Sequence, residues 1–485
     1  MPVTVIDMSN MRGTVSNVQD ILAKTVGVTL RTSGGVGSSS RISVRGLEGK
    51  RIGFFIDELP MSEQTDYLDI NDIPIDMIDR IEIYKGVVPA RFGGSSLGGA
   101  INIVIREYPD KYADLSYGYE SFNTHKAQGV FKRNLKARGL VFGIGGGYTT
   151  SDNNYTFDSP YREGLRITRN HDKYRKYIVG GSFKAKKWWF DEVEFEPVVV
   201  KTYKEIQGIE YDIREAHSES LMAGLANKLT KDNFLTEGLN LDMFNGLVLT
   251  KMNFIDKAIR RYEWDGTSYP TPSRYGGEVG YNFPSDSDDQ KLSFINKTNL
   301  EYIINERHSF NFNSVFSIAK GTPKDELKTL SLGKQVNFDS RMHSWVSGLT
   351  YDLRSLNDVF LNSLTVRYYQ YTMHTQMAPL FVPGKYDVDL EKNNWGVNNA
   401  MRYRFLPSLM GKLSAGYEVR IPSESELLGD GISVVPSADL LPERNASANL
   451  GLLFDLTGKH PTNAQIEMNF FYMYLQDMIR YTAGL

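Results

Sequence analysis

Arg80-Ile81-Glu82-Ile83-Tyr84-Lys85-Gly86, followed a few residues on by Arg91-Phe92-Gly93-Gly94-Ser95-Ser96-Leu97-Gly98-Gly99-Ala100-Ile101-Asn102-Ile103-Val104, decides how the chain begins. The first stretch alternates apolar and polar residues and stops at a glycine, as a half-buried strand does. The second opens with glycines and continues as an alternating, β-branched strand. Between the strands the chain must turn tightly, and the four glycines at 93, 94, 98 and 99 supply backbone angles that a side chain forbids. Gly94-Ser95-Ser96-Leu97-Gly98 also satisfies the G-x-S-x-G pattern of a nucleophile elbow, but that elbow runs from strand to helix. A strand follows here, so the serine-hydrolase reading fails on context.

Upstream, Val3 to Asp7 reads as a short strand, and Ser16 or Asn17 caps a helix carrying Val18, Ile21 and Leu22 that ends near Gly27. Val28-Thr29-Leu30-Arg31, Arg41-Ile42-Ser43-Val44-Arg45-Gly46 and Arg51-Ile52-Gly53-Phe54-Phe55-Ile56-Asp57-Glu58-Leu59-Pro60 follow as strands and turns. Ile73 to Ile78 gives one helical turn leading into Arg80. The result is a mixed α/β unit of about one hundred residues.

Five ordered motifs run along this unit: the helix, I-x-V-R-G at 42–46, I-D-x-x-P at 56–60, I-x-R-I-E-x-x-K-G at 78–86, and the glycine hairpin. In that order they resemble the plug domain of TonB-dependent outer-membrane receptors, of Bacteroidetes-like type. The resemblance implies a plug at 1–107 inside a large antiparallel transmembrane β-barrel at 108–485, a mostly β fold.

Composition is compatible with that reading. The formal charge of −3 gives no basic surplus for nucleic acid. No run of 18 apolar residues exists for a helical membrane span. The 28 tyrosines and 25 phenylalanines suit the aromatic girdles of a barrel, and a soluble sandwich also uses them. The chain has no cysteine, so it has neither disulfides nor thiolate metal sites. The seven histidines are scattered and form no metal-ligand pattern.

From about Asp114 the helical period vanishes and strict alternation takes over, as in Phe310, Phe312 and Phe316 against Asn311, Asn313 and Ser317. About fifteen strands are predicted, starting near residues 114, 125, 138, 172, 187, 215, 240, 290, 308, 342, 361, 393, 409, 446 and 464. Links after even strands are short. Links after odd strands are often long, as at 149–171, 258–289, 319–341 and 422–445. Membrane barrels have short periplasmic turns and long external loops. A soluble all-β module needs no such rule.

The resemblance carries further expectations. The family barrel has twenty-two strands, so the chain reads as C-terminally incomplete. It also reads as lacking a signal peptide and the box that TonB grips. The implied activity is TonB-dependent import of a scarce nutrient across the outer membrane of a Gram-negative bacterium, an iron-siderophore first and cobalamin or a glycan next. A passive porin-like channel and a surface binding protein are the readings from other classes. No enzyme activity, cofactor, metal or nucleic acid is implied. The implied partners are the TonB complex, outer-membrane lipids, a small-molecule or metal-chelate ligand, and a surface lipoprotein. Candidate ligand contacts on the plug are Phe92, Arg31, Glu63, Gln64, Asp66 and Tyr67. On one long barrel loop they are Arg260, Arg261, Tyr262, Trp264 and Tyr269, where arginine and aromatics offer stacking and hydrogen bonds. The same composition suits a loop that packs on itself, and both readings stand. Ser285-Asp286-Ser287-Asp288-Asp289 offers oxygens to calcium but lacks EF-hand spacing and reads as a solvated acidic turn. Family members often pair a barrel glutamate with a plug arginine. Asn449 stands at the glutamate position here, and Arg106 matches the arginine.

Overall fold

The glycine turn brings the two diagnostic strands together. A computed structural model describes residues 3–11, 18–32, 34–38, 40–61, 73, 75–86, 88–94, 96–186, 188–279, 284–378, 384–428, 437–456 and 464–480. Its plug strands are β1 (Val3–Asp7), β2 (Val28–Thr32), β3 (Ser40–Val44), β4 (Leu47–Glu48), β5 (Gly53–Ile56), β6 (Leu59–Pro60), β7 (Ile78–Tyr84) and β8 (Ala100–Ile105). One sheet has the order β1-β7-β8-β5-β6, with β5 parallel to β8, and β2-β3-β4 form a second. Strand alternation gives the first sheet two different faces. Ile81, Ile83, Ile101 and Ile103 pack with Val18, Ile21 and Leu22 of helix α1 (Val18–Ala23) in the main core. The opposite face holds Phe55, Tyr84, Val88, Phe92 and Ala100.

At Gly99 the backbone has φ of +121°, and a Cβ there would lie 2.1 Å from the Tyr84 carbonyl oxygen. Only glycine permits this approach, which sets the register of β7 against β8. The helix caps at Ser16 and Asn17 lie outside the described residues.

The remaining strands form one antiparallel meander. It begins with β9 (Lys111–Glu120), β10 (Thr124–Leu135) and β11 (Leu140–Ser151). A small hairpin of β12 (Thr156–Asp158) and β13 (Arg166–Thr168) then precedes β14 (Tyr174–Lys186), β15 (Glu192–Glu205), β16 (His217–Lys231) and β17 (Leu239–Asp256). A second hairpin, β18 (Arg260–Tyr262) with β19 (Ser268–Pro270), and the short β20 (Ser285–Asp286) come next. The meander ends with β21 (Asp289–Asn305), β22 (His308–Thr322), β23 (Ser340–Arg354), β24 (Phe360–Met377), β25 (Tyr386–Leu406), β26 (Leu409–Arg420), β27 (Glu443–Asp455) and β28 (Gln465–Gln476). The path from β9 to β28 contains each predicted strand, and its members run from 10 to 21 residues. A tilted membrane crossing needs roughly 9–11.

The two faces of this wall differ as the alternation requires. Val179 opposite Val199 and Leu225 opposite Leu247 are exposed on the outer face. Trp345, Tyr368 and Trp395 form an outer row, the first pair edge-on and the second tilted, with ring centres 5.7 and 4.9 Å apart. Links 136–139, 187–191, 232–238, 306–307, 355–359 and 407–408 are short and lie at one end, called here the turn end. Links 152–173, 206–216, 257–288, 323–339 and 421–442 are long and lie at the loop end. The first loop-end link, 121–123, departs from the expected rule and is a tight hairpin, with Phe122 and Asn123 at positive φ.

Gly99→Ala is expected to unseat β7 from β8 at a cost of about 3 kcal/mol or more. The check is protease cleavage within the plug of the purified protein: the variant is cut at concentrations that leave the parent intact.

Candidate functional site

Four charges sit where the plug meets the barrel wall, and the sequence places them far apart. Arg51 lies between β4 and β5 of the plug, Arg420 closes β26, Glu443 opens β27, and Glu426 lies on the short helix α3 (Glu424–Leu428) between them. Glu443, Arg420 and Glu426 are buried. Arg51 reaches Glu443 with Nη2 at 2.6 Å and Nε at 3.1 Å. Arg420 donates Nε to the other oxygen of Glu443 at 2.7 Å and forks onto both oxygens of Glu426 at 2.8 and 3.0 Å. The backbone of Ile479 donates to Glu443 at 2.6 Å. Two cations and two carboxylates thus neutralise one another away from water, which is the condition for burying charge at all. Burial raises the Glu426 carboxyl, but the Arg420 guanidinium and the Ser423 backbone N–H outweigh it and hold the group below its ordinary range.

The 421–442 link folds inward to reach this network. Ile421 and Leu427 join Tyr369, Tyr371, Met373 and Val419 in an apolar cluster inside the wall. Lys50 of the plug donates to the Ser423 and Ser425 hydroxyls, both at 2.8 Å, so the link touches plug and barrel together.

Below it, Arg45 donates to Asn449 Oδ1 at 2.5 Å, with its guanidinium 4.4 Å from the centre of the Phe471 ring. Asn449 in turn donates to Ser414 at 3.2 Å. Arg106 as the plug–barrel contact is corrected: with asparagine at 449 the family pairing is not made, and the plug arginine at Asn449 is Arg45. Arg106 lies where the plug passes into β9, its guanidinium 5.5 and 5.6 Å from the rings of Tyr108 and Tyr112. Chain connectivity puts it at the turn end. Lys297 donates to the Glu58 carbonyl at 2.6 Å, Asn313 to that of Arg91 at 3.2 Å, and Asn445 to that of Leu97 at 2.9 Å. These contacts fix the plug against β21, β22 and β27. At the loop end Asn153 holds both backbone groups of Val36 at 2.9 Å.

Phe92 is corrected as a contact residue. Its side chain is fully buried, with Phe55 and Tyr84 rings each 5.1 Å away, so it supports the glycine turn and offers no surface to a solute. Arg31 is exposed on β2 opposite Arg41. Glu63, Gln64, Asp66 and Tyr67 lie outside the described residues. The barrel-loop candidates come together on the β18–β19 hairpin and mostly bind other loops. The Arg214 guanidinium covers Tyr262 at 3.7 Å, Arg261 lies over Tyr211 at 5.0 Å, and Trp264 donates to the Ile209 carbonyl at 3.2 Å. Tyr269 donates to Glu263 at 2.5 Å, and Arg260 to Ser268 at 2.7 Å. Buried Glu278 accepts three backbone N–H groups, from Arg214, Glu215 and Ala216. Links 206–216 and 257–288 thus form one cap, with a polar, aromatic exterior. In the 285–289 stretch, Asp286 pairs with Lys257 and Asp288 with Lys251.

Comparison with known proteins gives the family. Residues 1–100 match the model described as the TonB-dependent Receptor Plug Domain. Across the chain, the fold matches that of solved receptors that carry such a plug inside a barrel. Residues 1–100 thus belong to the plug domain of TonB-dependent receptors, and the chain as a whole shares the fold of solved receptors. The receptor is 28% identical over 149 residues to the ferric enterobactin receptor of Pseudomonas aeruginosa, and 28% identical over 102 residues to the vitamin B12 transporter BtuB of Vibrio vulnificus. The matched stretches take in 28% and 21% of this chain but only 19% and 17% of those proteins. Among solved structures, a mutant of the P. aeruginosa ferric enterobactin receptor PfeA in complex with enterobactin superposes with a TM-score of 0.71 at 13% identity. That match covers 99% of this chain and 73% of the other. The FrpB iron transporter from Neisseria meningitidis gives 0.71 at 11% identity, covering 98% and 72%. At these identities the structures show a shared fold.

Replacing Glu443 by Ala leaves Arg51 without its carboxylate and Arg420 with half its partners, and is expected to cost about 3–5 kcal/mol. Arg51→Ala is expected to cost less, because Glu443 keeps Arg420. Urea-driven release of the plug, followed by protease sensitivity in the receptor, checks the order: Glu443→Ala first, then Arg51→Ala, then the parent.

Proposed function

We propose that the receptor imports a scarce, compact metal chelate, an iron-siderophore, across the outer membrane of a Gram-negative bacterium, with TonB supplying the work. The observation that carries this reading is a folded plug held in a barrel lumen by a neutral network of buried charges. A passive pore has no use for such a domain. Because the contacts are hydrogen bonds and ion pairs between separately folded surfaces, plug movement breaks no covalent bond and both units keep their cores. The step is mechanical, with no group transferred.

Ligand meets the loop end, where the Gly34–Ser38 turn of the plug lies beside Asn153 and the cap of links 206–216 and 257–288 stands above. Arg31, Arg260 and Tyr269 offer donors and ring surface there, which suits an oxygen-rich, anionic chelate. The likeness to a ferric enterobactin receptor favours a siderophore. Cobalamin is the second reading, favoured by the likeness to a vitamin B12 transporter.

Uptake of iron-55 supplied on a panel of siderophores, in cells carrying the full-length receptor with and without TonB, tests the proposal. Accumulation that requires both receptor and TonB is expected for at least one chelate. Accumulation that persists without TonB would identify a passive pore instead.

A further inference from the structure

The plug does not sit evenly in the lumen. Its hydrogen bonds to the strands, described above, gather on β21, β22 and β27. Leu59 of the plug packs on Ile295 and Val315 of the same side and on Phe244 of β17, where that side meets the rest of the wall. Opposite, the plug and the inner wall from β9 to β17 flank an open cavity of about 2290 Å³, bounded at its edge by Lys297 and Asn299 of β21. Residues lining it run from Gly35 and Tyr174 at the loop end to Tyr108, Lys132 and Lys186 at the turn end. It is therefore a corridor along the barrel axis.

The wall residues of this corridor are graded. Across its middle, one cross-strand row reads Gly145, Gly180, Val198, Gly224, Val248 on five adjacent strands. Three glycines in that row leave bare backbone where a lumen-facing side chain would stand. Ideal Cβ atoms built at Gly145 and Gly180 meet their nearest neighbours at 3.5 Å, an ordinary contact. Packing therefore does not demand glycine at either place, and the width of the corridor is the feature they set. Four residues along each strand toward the turn end, a second row reads Lys184, Glu194, Lys228, of alternating charge, with Lys184 also 2.7 Å from Glu192.

We propose that solute crosses on this side, through the glycine waist and past the Lys184–Glu194–Lys228 row, while the plug stays seated on the β21–β27 wall. The inference rests on the import reading and adds where the lumen opens and which plug surface does not move. The waist admits a compact solute, and the mixed charges beyond it replace the hydration of an oxygen-rich chelate as it leaves.

These 485 residues hold no cysteine, so single-cysteine variants need only that any cysteine elsewhere in the full-length receptor be replaced by serine. Single-cysteine variants Gly145→Cys and Gly180→Cys report the corridor. Val315→Cys reports the seated wall, and Gly181→Cys, on the outer face of β14, reports background. Each is placed in the full-length receptor and labelled in whole cells with a membrane-impermeant fluorescein maleimide, with and without a protonophore. Labelling at 145 and 180 is expected to rise several-fold in energised cells while Val315→Cys stays protected. A rise at Val315→Cys in energised cells would leave import standing and overturn the corridor, since the plug would then leave its seat. Labelling that ignores energisation at all positions would overturn both readings together.

Discussion

The receptor depends on one constraint: charges buried between plug and wall must neutralise one another. Arg420 is the pivot. It holds Glu426 with two hydrogen bonds and Glu443 with a third, so each wall carboxylate keeps a guanidinium partner when Arg51 withdraws, with one net negative charge left in the wall. Breaking the plug's hold therefore does not strand a lone carboxylate in the wall. The arrangement is stable when closed and does not forbid opening, whereas a buried pair with only two members would cost far more to separate.

That pivot also ties the loop end to the plug. The 421–442 link is anchored inside the lumen by Leu427 and by Glu426, and its serines hold Lys50. A change at the loop end thus has a short physical route to Arg51, through α3 and Arg420. The other tether, Asn153 on Val36, lies across the lumen at the first long link. The plug is held at its loop-end turn on one side and along its body on the other, with the wide corridor between.

Much of this was legible in the residues. Period-two alternation located the strands from Lys111 onward, because every inward residue meets the lumen and every outward one the lipid side. The glycine turn fixed β7 against β8, since the backbone at Gly99 excludes a side chain. The network was not legible, although both of its halves lie in or beside motifs that stand out in the sequence. Arg51 and Glu443 are 392 positions apart, and no local pattern joins them. Arg106 stands at the family's arginine position in the sequence, and only the seating of the plug shows that Arg45 faces Asn449 instead. Phe92 failed for a similar reason: an aromatic beside a glycine turn reads as an exposed tip, but here the turn folds the ring back onto Phe55 and Tyr84. Loop candidates such as Tyr262 and Trp264 were found as a group. Their composition could not say that most of them face neighbouring links.

The most direct measurement is oxidative cross-linking of a Leu97→Cys, Asn445→Cys pair in the full-length receptor in native membranes, with a protease site placed in the 107–110 connection. Asn445 donates to the Leu97 carbonyl at 2.9 Å, so a seated plug brings the two positions together. After cleavage, plug and barrel are expected to run as one band under oxidising conditions and as two after reduction. Two bands under both conditions would show that the plug does not rest on β27, and the seating on which the transport reading depends would be wrong.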